Sequence, residues 1–152
     1  MPKSRFETIF KHRESIEDKA KIELAVIKSS LEEEEERLAS YNRLQRNSLK
    51  GLHQKQIKGA EASEVLLYVS FLNGLSNQIK RQRRIIEETN IKFNRKLEEL
   101  VEASKKKKIV MKIMEKELEE HLLEELRKEQ GFMDEIGISR YNQNKRIERI
   151  GD

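Results

Sequence analysis

Apolar residues recur in steps of three and four along most of this chain, and that rhythm limits what it can fold into. Positions 6, 10, 13, 17, 20, 24, 27, 31, 34, 38, 41, 45, 48 and 52 form one ladder. Nine of the fourteen are apolar: Phe6, Phe10, Ala20, Leu24, Ile27, Leu31, Leu38, Tyr41 and Leu52. A second ladder runs 65, 68, 72, 75, 79, 82, 86, 89, 93, 96, 100, 103, 107, 110, 114, 117 and is apolar at eleven of sixteen positions, Ile79, Phe93, Leu100, Val110 and Met114 among them. Such alternation averages 3.5 residues. It lines up one face of a helix and calls for a second helix to cover it. A strand would alternate with a period of two. The expected class is all-α.

Composition narrows this further. Charged residues make up 39% of the chain, hydrophobic ones 36% and aromatics 5%, with Pro2 the lone proline. That is the balance of long helices rather than of a compact globule. High charge alone would also suit a disordered chain, but the regular ladders argue against it. The absence of cysteine excludes disulfides and thiolate metal sites. No apolar stretch approaches the roughly 20 residues of a membrane span, and the N-terminus lacks a signal-peptide core, so a cytoplasmic protein is expected. A net charge of +4, from 32 basic and 28 acidic residues, is too small to imply nucleic acid.

Between the ladders lies GLHQKQIKGAEASE, residues 51 to 64. Gly51 and Gly59 read as helix-ending signals and Ser63 as the N-cap of the second helix. Folding the second helix back on the first matches the ladders when paired numbers sum to 120, so that Ile27 faces Phe93 and Phe10 faces Val110. A register shifted by seven satisfies the ladders too. The expected architecture is a long antiparallel two-helix coiled coil, an α-helical hairpin forming a single domain. Helix one spans about 4–52, the turn about 53–64, helix two about 64–136, and a tail 137–152. Charge favours the antiparallel arrangement: Glu32 to Glu36 would lie beside KRQRR at 80 to 84, and Lys105 to Lys108 near Glu14, Glu17 and Asp18. Each exposed pair is worth only about 0–1 kcal/mol, so the support is collective.

Two groups of apolar residues are left over. Helix one runs out opposite Met114, which leaves Leu118, Leu122, Leu123 and Leu126, then Phe132, Met133 and Ile136 with Asp134 and Glu135 between them. Apolar residues without an intramolecular place mark partner surfaces, and Gly131 and Gly137 would let the helix end or bend there. Near the turn, Leu67 and Phe71 form a stripe beside the seam residues Val65, Tyr68, Leu72, Leu75 and Ile79. Leu67, Phe71 and Leu75 are the candidates for a second docking surface, and Gly74 marks a bend or a close contact.

Catalytic chemistry has little to stand on. There is no Gly-rich phosphate loop and no nucleophile elbow, so the chain reads as a non-enzyme without a cofactor. Glu117, His121 and Glu125 share one helical face at metal-ligand spacing, but a solvated face explains them more simply. KRQRR and SKKKK are short and lack the base-reading pattern of a zipper-type DNA reader.

The layout resembles the FliJ family of the flagellar export apparatus and its injectisome relative YscO. The resemblance rests on FETIFKHRESIEDKAKIELA at the start, SEVLLYVSFLNGLSNQI opening helix two, and the C-terminal pattern at Leu100, Ala103, Lys107, Glu129, Gln130, Asp134, Glu135 and Ile136. Gly131 departs from it, and GISRYNQNKRIERIGD matches nothing in it. The resemblance implies a fold like the stalk subunit of rotary ATP synthases. It implies a cytoplasmic protein, peripheral at the inner membrane, that serves flagellar protein export and hence motility and chemotaxis. It also implies three kinds of partner: the hexameric export ATPase, the cytoplasmic domain of the export gate, and export chaperones that it would escort. On that footing Leu122, Leu126, Phe132, Met133, Asp134, Glu135 and Ile136 are expected to engage the ATPase, and Leu67, Phe71 and Leu75 the gate. An injectisome counterpart and a coiled-coil tether or homodimer without an ATPase partner remain the alternatives.

Overall fold

A computed structural model describes residues 4–151. Two helices account for nearly all of them: α1, Glu7–Ile57, and α2, Ala62–Ile150. They pack against each other as an α-helical hairpin, in the expected class. Contacts divide the chain into two compact units, Glu14–Ser104 and Met1–Arg13 with Lys105–Asp152.

The first unit holds the hairpin turn. All of its buried residues fall on the two ladders: Glu17, Ala20, Leu75, Ile79, Gln82 and Ala103. Polar bonds between the helices set the register. The Ser104 hydroxyl donates to the Glu17 carboxylate at 2.9 Å, Lys96 pairs with Glu23, and Lys55 approaches Glu64 at 3.4 Å. Each of these pairs sums to 119–121. The Gln82 amide donates to the Glu34 backbone carbonyl at 2.9 Å and also to its carboxylate. A seven-residue shift would put Leu97 or Met111 in the place of Ser104 and take that donor from the buried Glu17 carboxylate.

The turn is tighter than expected. Gly59 adopts φ 78°, the left-handed conformation that only glycine takes without a steric penalty. Ala60 N–H donates to Lys55 O and Gly59 N–H to Gln56 O, the paired bonds of a Schellman stop. α2 begins at once: the Glu61 carbonyl accepts from Glu64 and Val65 N–H. Ser63 therefore lies inside α2, and Glu61 occupies the cap position expected of it. Gly51 does not end α1, which runs on to Ile57. It lies beside Tyr68, whose ring a Cβ at this position would meet at 3.4 Å, an ordinary packing distance.

The second unit pairs the start of α1 with the C-terminal part of α2. Val110 is buried, and Phe6, Phe10 and Met114 are half-buried. Ser4 joins both helices. Its hydroxyl accepts from Phe6 N–H and donates to Glu117 at 2.8 Å. Residues 137–150, expected as a separate tail, continue α2 as helix. Their sequence contains no proline, and an isolated glycine costs only about 1 kcal/mol, too little to stop a helix by itself.

Candidate partner-docking surfaces

The ladders bury themselves so regularly that what they leave outside stands out. In the unit with the turn, Leu67 is 71% exposed and Phe71 49%. The two are one turn apart on the same flank of α2. Leu66 and Val69 are exposed as well and lie on the opposite flank of the seam. Sequence reasoning passed over this second pair because it credited one flank only. Three-residue spacing between Leu66 and Val69 was the available signal.

Leu75 departs from expectation. It is 3% exposed, because it holds a ladder position between Leu72 and Ile79 in the seam itself. A partner could reach it only by opening the hairpin, so it belongs to the core and not to the docking surface. Gly74 makes no close contact, since nothing lies within 4 Å of a Cβ placed there. It continues the Leu67–Phe71 flank by one turn and leaves bare backbone beside it.

In the second unit, the apolar residues beyond Glu117 are mostly exposed. Phe132 is 63% and Met133 68% exposed; Leu122 and Leu126 are also outside, as are Asp134 and Glu135. Ile136 is half-buried. The cluster does not fold back as a cap on the start of α1, where Ile9 is itself exposed. α2 remains helical through Gly131 and Gly137, so neither glycine ends it. The whole set is carried on one helix, with its members held in place by helical geometry.

The remaining sequence candidates find ordinary partners. His121 Nε2 lies 3.1 Å from Glu125, while Glu117 is taken up by Ser4. Among the described residues no group of three or more His, Asp or Glu side chains is arranged to hold a metal. The acidic run pairs within its own helix, Glu34 with Arg37 and Glu36 with Arg43 at 2.9 Å. Its cross-helix bond comes from Gln82 in the middle of KRQRR, whose basic side chains point to solvent.

Lys96 lies between two carboxylates. Its ammonium bridges Glu23 and Glu99, the latter at 2.8 Å. The Glu23 hydrogen bond is the first cause that raises its pKa above 10.5, and Glu99 adds to it. The same bond to Lys96 lowers the Glu23 pKa below 4.5. The Lys21 pKa is raised by its bond to the buried carboxylate of Glu17, 3.0 Å away. These are structural ion pairs along the hairpin.

The family model described as flagellar FliJ protein matches residues 2–146. The chain belongs to that family. FliJ-family membership makes it a component of a type III export system, from a family of non-enzymatic proteins. No curated protein matches the chain. A solved structure of a YscO homologue from Chlamydia trachomatis is similar to it, with a TM-score of 0.57 at 18% identity, covering 96% of this chain and 99% of that one. At that identity the likeness is one of fold. No helix among the described residues is long and apolar enough to cross a membrane.

Proposed function

We propose that this FliJ-family protein is a stalk of the export machine that docks two partners through its two exposed apolar surfaces. The segment from Leu118 to Ile136 engages the export ATPase ring and promotes its activity. Leu67 and Phe71 contact the cytoplasmic domain of the export gate, which holds the protein at the inner face of the membrane. Export chaperones are a third class of partner, delivered by the same encounter.

The observation that carries this reading is the exposure of Leu122, Leu126, Phe132 and Met133 on a helix with no residue of α1 in register beside it. Solvent-facing apolar side chains in such density are kept for a partner. Asp134 and Glu135 between them supply polar contacts that fix orientation.

Replacing Leu126, Phe132 and Met133 by serine together tests the assignment. The hairpin's melting temperature should stay unchanged, since these side chains bury nothing in it, while stimulation of the cognate export ATPase falls at least tenfold. Full stimulation by the triple variant would reverse the assignment of the two surfaces. Leu67→Ser with Phe71→Ser should weaken binding to the gate domain and leave ATPase stimulation intact.

A further inference from the structure

The last third of α2 has a property that a surface built for one foreign partner does not need. From Leu118 the three-and-four rhythm continues through Leu122, Phe132, Ile136, Ile147 and Ile150, with one extra step of four at Arg140. Apart from half-buried Ile136, all of these are exposed. Charge divides the segment into halves. Residues 118–129 hold five acidic side chains against two basic ones, and residues 139–150 hold four basic against one acidic.

Laid antiparallel on itself, the segment matches. When numbers sum to 268 or 269, Leu118 meets Ile150, Leu122 meets Ile147 and Phe132 meets Ile136. Glu129 then meets Arg140, and each acidic half lies on a basic half. A parallel pairing would set acid against acid. Self-complementarity about one point, near residue 134, is what a two-fold interface requires, because every contact must occur twice. The segment is about 48 Å long at 1.5 Å per residue, which exceeds the three to four heptads a coiled coil needs.

We infer that residues 118–150 are a dimerisation element that pairs antiparallel with the same segment of a second copy of this chain. The pairing covers the residues assigned above to the ATPase, so the dimer is a reserve form and partner engagement requires its dissociation. The inference does not rest on the ATPase assignment, because it is tested on the chain alone.

The test is sedimentation of the full chain across a concentration series. A reversible monomer–dimer equilibrium is expected. Arg140→Glu and Glu129→Arg should each weaken it about tenfold, since each puts like charges together at two symmetry-related places. Both positions are exposed and both replacements favour helix, so folding is preserved. Mixing the two variants is decisive. In a mixed dimer position 129 of each copy again faces an opposite charge at 140 of the other, so the equimolar mixture should regain wild-type association to within about threefold. Within one chain the two positions are eleven residues apart and cannot pair, so local rescue is excluded. A monomer at every concentration up to about 1 mM would overturn the inference. So would a dimer indifferent to the single changes, or a mixture no tighter than its components.

Discussion

At Glu17, Ser104 and Lys21 are two of the partners of a carboxylate that is only 5% exposed. A buried charge is costly, and its bonds recover part of that cost. Ser104→Ala removes one charged hydrogen bond and should lower stability by about 1–2 kcal/mol, measured by urea unfolding. Glu17→Leu should raise stability instead, because a ladder position then becomes apolar. Loss of stability in Glu17→Leu would show that the polar layer contributes more than its desolvation costs. Lys96 and Glu23 give a pH prediction. The folded-state pKa of Glu23 is lowered, so its contribution is present above the ordinary value of 4.5 and is lost as pH falls through the folded value. That of Lys96 is raised, so its contribution is present below 10.5 and is lost as pH rises through the folded value. Glu23→Gln should flatten the acid limb of the stability profile and, because Glu23 is the first cause of the raised Lys96 pKa, weaken the alkaline limb to the part that Glu99 sustains; Lys96→Met should flatten both limbs.

At the scale of the element, the ladders told nearly everything about the seam. Every ladder position from Phe6 to Leu52 and from Val65 to Glu117 is buried or half-buried. The apolar pattern alone left the register open by seven residues, because apolar rungs are interchangeable. Polar rungs are not, and Gln82 on Glu34 with Ser104 on Glu17 removes the ambiguity. Helix ends were harder to read. Gly51 and Gly59 look alike in sequence, yet only Gly59 takes a positive φ, while Gly51 lies inside α1. Two substitutions separate a glycine that the turn requires from one inside a helix. Gly59→Ala should destabilise by about 1–2 kcal/mol, the penalty for a side chain in the left-handed region. Gly74→Ala, with open space around it, should stabilise by about 0.5–1 kcal/mol. Thermal melts of the two variants should therefore move in opposite directions; a fall in both would mean that Gly74 has a packing role in the hairpin.

For the whole molecule, the candidate surfaces were legible as leftovers: once the seam had claimed its residues, Phe71 and Phe132 had no place in it. Leu75 sits on the seam next to the flank of Leu67 and Phe71, and its burial separates it from them. The helical state of residues 137–150 escaped the sequence because no ladder shared with α1 extends that far. The central claim is that two different partners meet two different surfaces of one FliJ-family chain. Site-specific photo-crosslinking tests it most directly, with a photoreactive residue at position 71 or at position 132 and both the export ATPase and the gate domain present. Position 132 should crosslink to the ATPase and position 71 to the gate domain. Crosslinks exchanged between the two positions, or both positions crosslinking to the same partner, would contradict it.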